Sequence, residues 1–98
     1  MTKISFTLSD SHATFIGDLT RQTVGTITKK MFKQLLSNNQ LVVDFKQIER
    51  VDTAGLAWLL LLIEKANLAA CQVKIINFPS DLAKLAKLSA VDTFLPID

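Results

Sequence analysis

The 98-residue sequence is poor in the residues that most chemistry needs. Cysteine occurs once, as Cys71, which excludes an internal disulfide and fits a reducing compartment. Histidine also occurs once, as His12, inside a run that reads as a hairpin turn, so a Cys–His nucleophile pair requires the fold to bring two distant residues together by chance. The acidic residues are scattered, and no His/Cys cluster has metal-ligand spacing; neither a metal nor another cofactor is expected, and the chain reads as a non-enzyme. The glycines Gly17, Gly25 and Gly55 stand apart and build no loop that could cradle a phosphate. A net charge of +2 is too small to announce a nucleic-acid partner or a membrane surface. Long apolar runs are missing too. The longest, Ala54 to Ile63, is about half of what a membrane-spanning helix needs. The opening Met1-Thr2-Lys3-Ile4-Ser5-Phe6-Thr7 alternates without an apolar signal core, so a cytoplasmic protein with no direct membrane insertion is expected.

What the sequence does contain is ordinary core-forming material: 49% apolar and 20% charged residues, enough for one ordered domain over residues 1–98. Ile4, Phe6 and Leu8 alternate with polar residues, and Ala13 to Ile16 resumes an extended pattern after Ser9-Asp10-Ser11-His12, which predicts a hairpin broken off at Gly17-Asp18-Leu19-Thr20. From about Arg21 the spacing of Val24, Ile27, Met31 and Leu35 predicts a helix capped by Thr20 and ended by Ser37-Asn38-Asn39. That helix would carry most of the basic excess, in Arg21, Lys29, Lys30 and Lys33, as a solvated face. Gln40 to Phe45 is apolar enough for a strand covered on both faces, followed by a polar turn. A helix over residues 54 to 70 leads into the β-rich run Val73-Lys74-Ile75-Ile76, which implies a parallel crossover. A last helix begins near Phe78-Pro79-Ser80-Asp81, capped by Ser80 or Asp81, with Leu82, Leu85, Ala86 and Leu88 along one face. Val91 to Pro96 closes the sheet edge or packs as a short turn. The order β-β-α-β-α-β-α predicts an α/β layer structure with helices on a mixed sheet.

The stretch with most to say is Val51-Asp52-Thr53-Ala54-Gly55-Leu56-Ala57, a strand end running into the most apolar helix of the chain. On a wheel at about 100° per residue, Gly55, Leu56, Leu59, Leu62, Ile63, Ala66 and Ala70 gather on a broad sheet-facing side. Glu64 and Asn67 mark the solvent side. Ala57, Leu60, Leu61 and Leu68 fall beside those polar residues, on the same side as Thr53. Such a contiguous apolar patch points to an interaction surface unless the last helix or the terminal segment covers it. Trp58 falls at the boundary, as a packing residue. Asp52 and Thr53 can each cap the helix, and Thr53 can also accept a phosphate or meet a docking protein; next to Asp52, a phosphate's charge would repel a partner that fits the bare surface.

Asp18 after Gly17, the strand Leu41-Val42-Val43-Asp44-Phe45, and the Asp52-Thr53-Ala54-Gly55-Leu56 junction opening a leucine-rich helix together resemble the STAS domain family of sulfate transporters and anti-sigma-factor antagonists. The resemblance covers nearly the whole chain. It implies a four-stranded or slightly larger mixed sheet with helices packed on it, no catalysis, and work done by protein–protein docking. Within the family, the compact length, the Val51 to Ala57 wording and the tail Leu82-Ala83-Lys84-Leu85-Ala86-Lys87-Leu88 look most like the cytoplasmic STAS subunit of an ABC transporter that moves phospholipids between the membranes of the Gram-negative envelope. That likeness implies the transporter's ATPase subunit as partner and no nucleic acid. It assigns the contact to Asp52, Thr53, Ala54, Gly55, Ala57, Leu60 and Leu61, with Asp52 holding the loop and Gly55 permitting close approach. Thr53 matches the position phosphorylated as serine in the antagonists, so a phosphorylation-switched anti-sigma-factor antagonist is the alternative. Self-association through the leucines stays open.

Overall fold

The computed structural model describes residues 3–97, so Met1 and Thr2 of the alternating N-terminus lie outside the described residues. Strands β1 (Ile4–Ser9), β2 (His12–Leu19), β3 (Gln40–Val51) and β4 (Gln72–Ile76) form one sheet in chain order. β1 and β2 are antiparallel, whereas β2–β3 and β3–β4 are parallel, giving a mixed sheet. Helices α1 (Lys29–Leu35), α2 (Thr53–Leu68) and α3 (Ser80–Leu88) fill the connections, in the predicted order.

All three helices pack on one face of this sheet. Ala13, Phe15 and Leu19 of β2, Leu41, Val43 and Phe45 of β3 and Ile75 of β4 point into a single core, where they meet Phe32 and Leu35 of α1, Leu56, Leu59, Leu62 and Ala66 of α2, and Leu82 and Ala86 of α3. The alternation of a pleated strand then places His12, Thr14, Val42 and Asp44 on the opposite face. β3 is therefore covered on one face rather than two, and its half-buried Val42 and Asp44 look away from the helices. Every aromatic ring except Phe94 joins a contact chain through the core. Phe15 sits at its centre, with ring centroids 5.4 Å from Phe6, 5.6 Å from Phe45 and 5.7 Å from Trp58.

Several boundaries differ from the sequence reading, each for a local physical reason. β2 does not break at Gly17 but runs on to Leu19; Gly17 holds φ +114°, and a side chain there would meet the carbonyl oxygen of Lys3, just before β1. β3 does not turn after Phe45. It continues to Val51 through two register shifts against β2, between Thr14 and Ile16 and between Gly17 and Leu19, which interrupt the in–out alternation and leave Lys46-Gln47 and Glu49-Arg50 exposed in pairs. The helix expected from Arg21 starts only at Lys29, so Arg21 lies outside it and Thr20 is not its cap. Buried Thr23 is the reason: its hydroxyl accepts from Thr20 N at 3.0 Å and lies 2.7 Å from the Asp18 carbonyl, folding residues 20–26 into a turn and a short 3₁₀ helix (Val24–Thr26). Thr28 caps α1, accepting from Met31 N at 3.2 Å.

At the other end of the chain, Pro79 occupies the N-cap position of α3 with no side-chain capping bond, so neither Ser80 nor Asp81 caps it. α2 and α3 end alike. Ala70 and Ala90 take left-handed φ values of 55° and 56°, while Cys71 N donates to Ala66 O and Val91 N donates to Ala86 O, the paired closure usually built on glycine. The terminal segment both turns and joins the edge. A 3₁₀ turn at Asp92–Phe94 precedes a parallel bridge from Ile97 to Ile75, with Ile75 N donating to Pro96 O at 2.9 Å.

The open sheet face carries one polar cluster. The Asp44 carboxylate accepts from Asn77 Nδ2 and from Lys46 N, each at 2.9 Å, and lies 3.6 Å from His12 Nε2. The Asn77 amide bond, with help from Lys46 N and His12, holds its carboxyl below the usual carboxylate value against the opposing effect of burial. The stability this gives is present at neutral pH and is lost as pH falls through the lowered pKa. In urea titrations the advantage of the wild type over Asp44→Asn should therefore shrink between about pH 5 and about pH 2. An advantage that is constant across that range would show that Asp44 titrates alike in the folded and unfolded chain.

Candidate functional site

The junction between β3 and α2 is built on Asp52, whose backbone is still extended at φ −146° and ψ −175°. One carboxylate oxygen, Oδ1, accepts from Gly55 N at 2.9 Å and caps α2; the other, Oδ2, accepts from Arg21 N at 3.0 Å. Asp52 N in turn donates to Leu19 O at 3.3 Å. The expected loop-holding and capping role is thus carried by Asp52 alone, and it ties the helix start to the segment after β2. A cap of this kind contributes about 1 kcal/mol, and the second bond adds to it.

Thr53, relieved of capping, is the first helical residue and is exposed. Its hydroxyl makes no hydrogen bond to any described residue. Ala54 is half-buried, while Gly55 is fully turned inward: an added Cβ would lie 2.0 Å from the Leu19 carbonyl oxygen. The close approach that Gly55 permits is therefore between α2 and β2, and Gly55 itself presents no surface. Ala57 is exposed, Leu60 is half-buried against the core, and Leu61 is 42% exposed. Leu68 is 83% exposed, so neither α3 nor the terminal segment covers this side of the helix. Thr53, Ala57, Leu61, Glu64 and Leu68 fall within about 80° of arc and form one outward ridge. Ala70, expected among the sheet-facing residues, lies beyond the helix end and is exposed.

Trp58 is a packing residue: 5% exposed, it stands between Phe15 and Phe32, with its ring centroid 5.8 Å from that of Phe32. Its Nε1 has no acceptor among the described residues, and burial keeps the indole from meeting an incoming group. Beside the junction, Asp18, Thr20, Arg21, Gln22, Arg50 and Asp52 line a depression that carries charges of both signs. Periodicity cannot reveal it, because it assigns Arg21 to a helix and Arg50 to a turn.

His12 and Cys71 are kept apart by the sheet. Cys71 is buried in the core and burial pushes its thiol pKa up, away from the thiolate form a nucleophile needs, whereas His12 belongs to the open face beside Asp44. Among the described residues no group of His, Cys, Asp and Glu could hold a metal ion, and no helix is long and apolar enough to cross a membrane.

Comparison with known proteins adds to this geometry. No curated protein sequence matches the chain. Among solved structures, that of the anti-sigma factor antagonist SpoIIAA in its unphosphorylated form superposes with a TM-score of 0.69 over 97% of this chain and 87% of that one, at 13% sequence identity. This likeness establishes the architecture, a mixed four-stranded sheet with three helices packed on it. A family model described as "Mlab, STAS domain" matches residues 4–96, the whole span from β1 to the end of the terminal turn. The chain belongs to the STAS domain family.

Proposed function

We propose that this chain is a non-enzymatic accessory subunit of the MlaB type. It docks on the ATPase subunit of an ABC-type phospholipid transporter at the cytoplasmic side of the inner membrane and supports its assembly or activity. In that setting it serves the lipid asymmetry of the outer membrane and reaches the membrane only through its partner. One observation carries the reading. The outward side of α2 presents Ala57, Leu61 and Leu68 uncovered, directly beneath an exposed Thr53 whose hydroxyl has no described partner. The description of the matching family model supports the transporter setting.

In the docked state Thr53 and Ala54 meet the partner at the helix start, Ala57 and Leu61 supply apolar contact along the ridge, and Leu60 lends its exposed edge. Asp52 and Gly55 act from behind by fixing the pitch of α2 against β2. Burying one ridge leucine against the partner is worth about 1.5–3 kcal/mol, so Leu61→Asp should weaken capture of the cognate ATPase by about tenfold or more. Thr53→Glu places a carboxylate at the contact and should weaken it comparably. Capture by purified tagged protein, with both variants folded as judged by circular dichroism, provides the measurement; unchanged capture by both would remove the ridge from the interface.

The fold shared with SpoIIAA favours a second reading, a phosphorylation-switched anti-sigma-factor antagonist using the same surface. It requires that Thr53 accept a phosphate from a cognate anti-sigma kinase and ATP, and that the product release the partner. Mass spectrometry showing no phosphate on Thr53 after that incubation eliminates it.

A further inference from the structure

Between α1 and the second half of α2 lies a groove of about 340 Å³, lined by Lys29, Phe32, Lys33, Leu36, Lys65 and Ala69. Its floor is apolar: Phe32 is buried and Leu36 half-buried. Its rim is cationic. None of the three lysines lies within ion-pairing distance of a carboxylate among the described residues, and the Lys65 ammonium instead sits 5.2 Å above the centroid of the Phe32 ring. α1 contains no acid, and the single acid of α2, Glu64, points about 100° round the helix from Lys65. Lys65 also lies one turn beyond Leu61, and Ala69 one turn beyond Lys65, so the groove continues the α2 ridge without a break.

We infer that this groove seats an acidic segment of the protein that docks on the α2 ridge, with an apolar side chain inserted over Phe32 and Leu36 and carboxylates meeting Lys29, Lys33 and Lys65. The inference rests on the docking reading above and names the charge of the partner's second contact. Two features select this occupant. Three unpaired cations around an apolar floor call for negative charge with an apolar anchor. The floor is recessed between two helices, which suits an inserted side chain, whereas a membrane surface is met by apolar groups that stand proud of their lysines.

The test compares binding of the cognate ATPase subunit to the full chain and to three variants, at low and at high salt. Lys29→Glu/Lys33→Glu reverses two exposed charges that make no described contact, so the fold should be retained; Lys65→Met keeps the packing on Phe32 and removes the charge. At low salt the double variant should bind about tenfold or more weakly and Lys65→Met a few-fold more weakly, with association slowed most and both differences shrinking at high salt. If Leu61→Asp weakens binding while the lysine variants equal the wild type at both salt concentrations, the groove is overturned and the ridge stands. If neither the lysine variants nor Leu61→Asp alter binding, both fall. Binding to vesicles of phosphatidylglycerol and phosphatidylcholine that the double variant loses, with ATPase affinity unchanged, overturns the inference in favour of a membrane. Lysine-dependent self-association in sedimentation overturns it in favour of a second copy.

Discussion

Gly55→Ala should destabilise the protein by about 3 kcal/mol or more, a large part of the about 5–15 kcal/mol that holds a domain of this kind together. The added methyl would lie 2.0 Å from the Leu19 carbonyl oxygen, 2.8 Å from its carbon and 3.0 Å from the Leu19 Cγ. None of these can yield cheaply. Leu19 ends β2, is paired with Val51, accepts from Asp52 N and is itself fully buried, so the carbonyl is held from both sides. Relief has to come from α2, whose first turn must lift away from the sheet and stretch the bonds from Gly55 N and Arg21 N to Asp52. Alanine's better helix propensity returns only about 1 kcal/mol. Gly25→Ala is the matched control, because nothing lies within 4 Å of its added carbon. A fall in the urea midpoint for Gly55→Ala and none for Gly25→Ala is the expected pair of results; equal midpoints would mean that α2 does not sit this close to β2.

The same contact explains why Gly55, which the helix wheel turns toward the sheet, could also be read as part of the partner contact. A glycine beside a threonine and an alanine looks equally suited to admit a partner or to admit a neighbouring strand, and only the position of Leu19 decides. Where side chains alternate or recur every three to four residues, the elements were legible: β1, β4 and the buried stripe Leu56, Leu59, Leu62 and Ala66 of α2 lie where periodicity puts them. The errors fall where another interaction overrides period. Bulges broke the alternation of β3. The Thr23 hydroxyl converted a helix-like spacing of Val24 and Ile27 into a 3₁₀ turn. Alanines in left-handed geometry closed two helices without the glycine that usually announces such an end. The ridge of the candidate site was legible because exposure on a helix follows from the wheel once its buried side is known. The basic groove was not, since it needs Lys65 and Lys29 to meet across two helices that are distant in sequence.

Phe15→Ala should cost about 3–5 kcal/mol, the range for removing a large aromatic from a core that cannot collapse around the gap. Phe15 is fully buried at the one place where rings from β1, β3 and α2 converge: Phe6, Phe45 and Trp58. Phe6 is paired with Phe15 across β1 and β2, buried Phe45 is packed against Phe78 on its other side, and Trp58 is wedged against Phe32 from the far side, so none can move in to fill the space. Phe94→Ala provides the contrast; at 68% exposure its ring should cost within about 0.5 kcal/mol. Because Trp58 is the sole tryptophan, its emission reports the same site directly, and Phe15→Ala should shift it to the red in the folded state as water gains access. The consequence reaches the proposed docking surface. The rotation of α2 about its axis is set by what Trp58, Leu59 and Leu62 press against, and a rotation that releases Trp58 from Phe15 would turn Ala57 and Leu61 away from the direction in which Thr53 points. A Phe15→Ala protein that remains folded yet captures the ATPase weakly, with every ridge residue intact, is the outcome expected if the core holds the ridge in register; full capture with a red-shifted Trp58 would show that the ridge keeps its orientation without that packing.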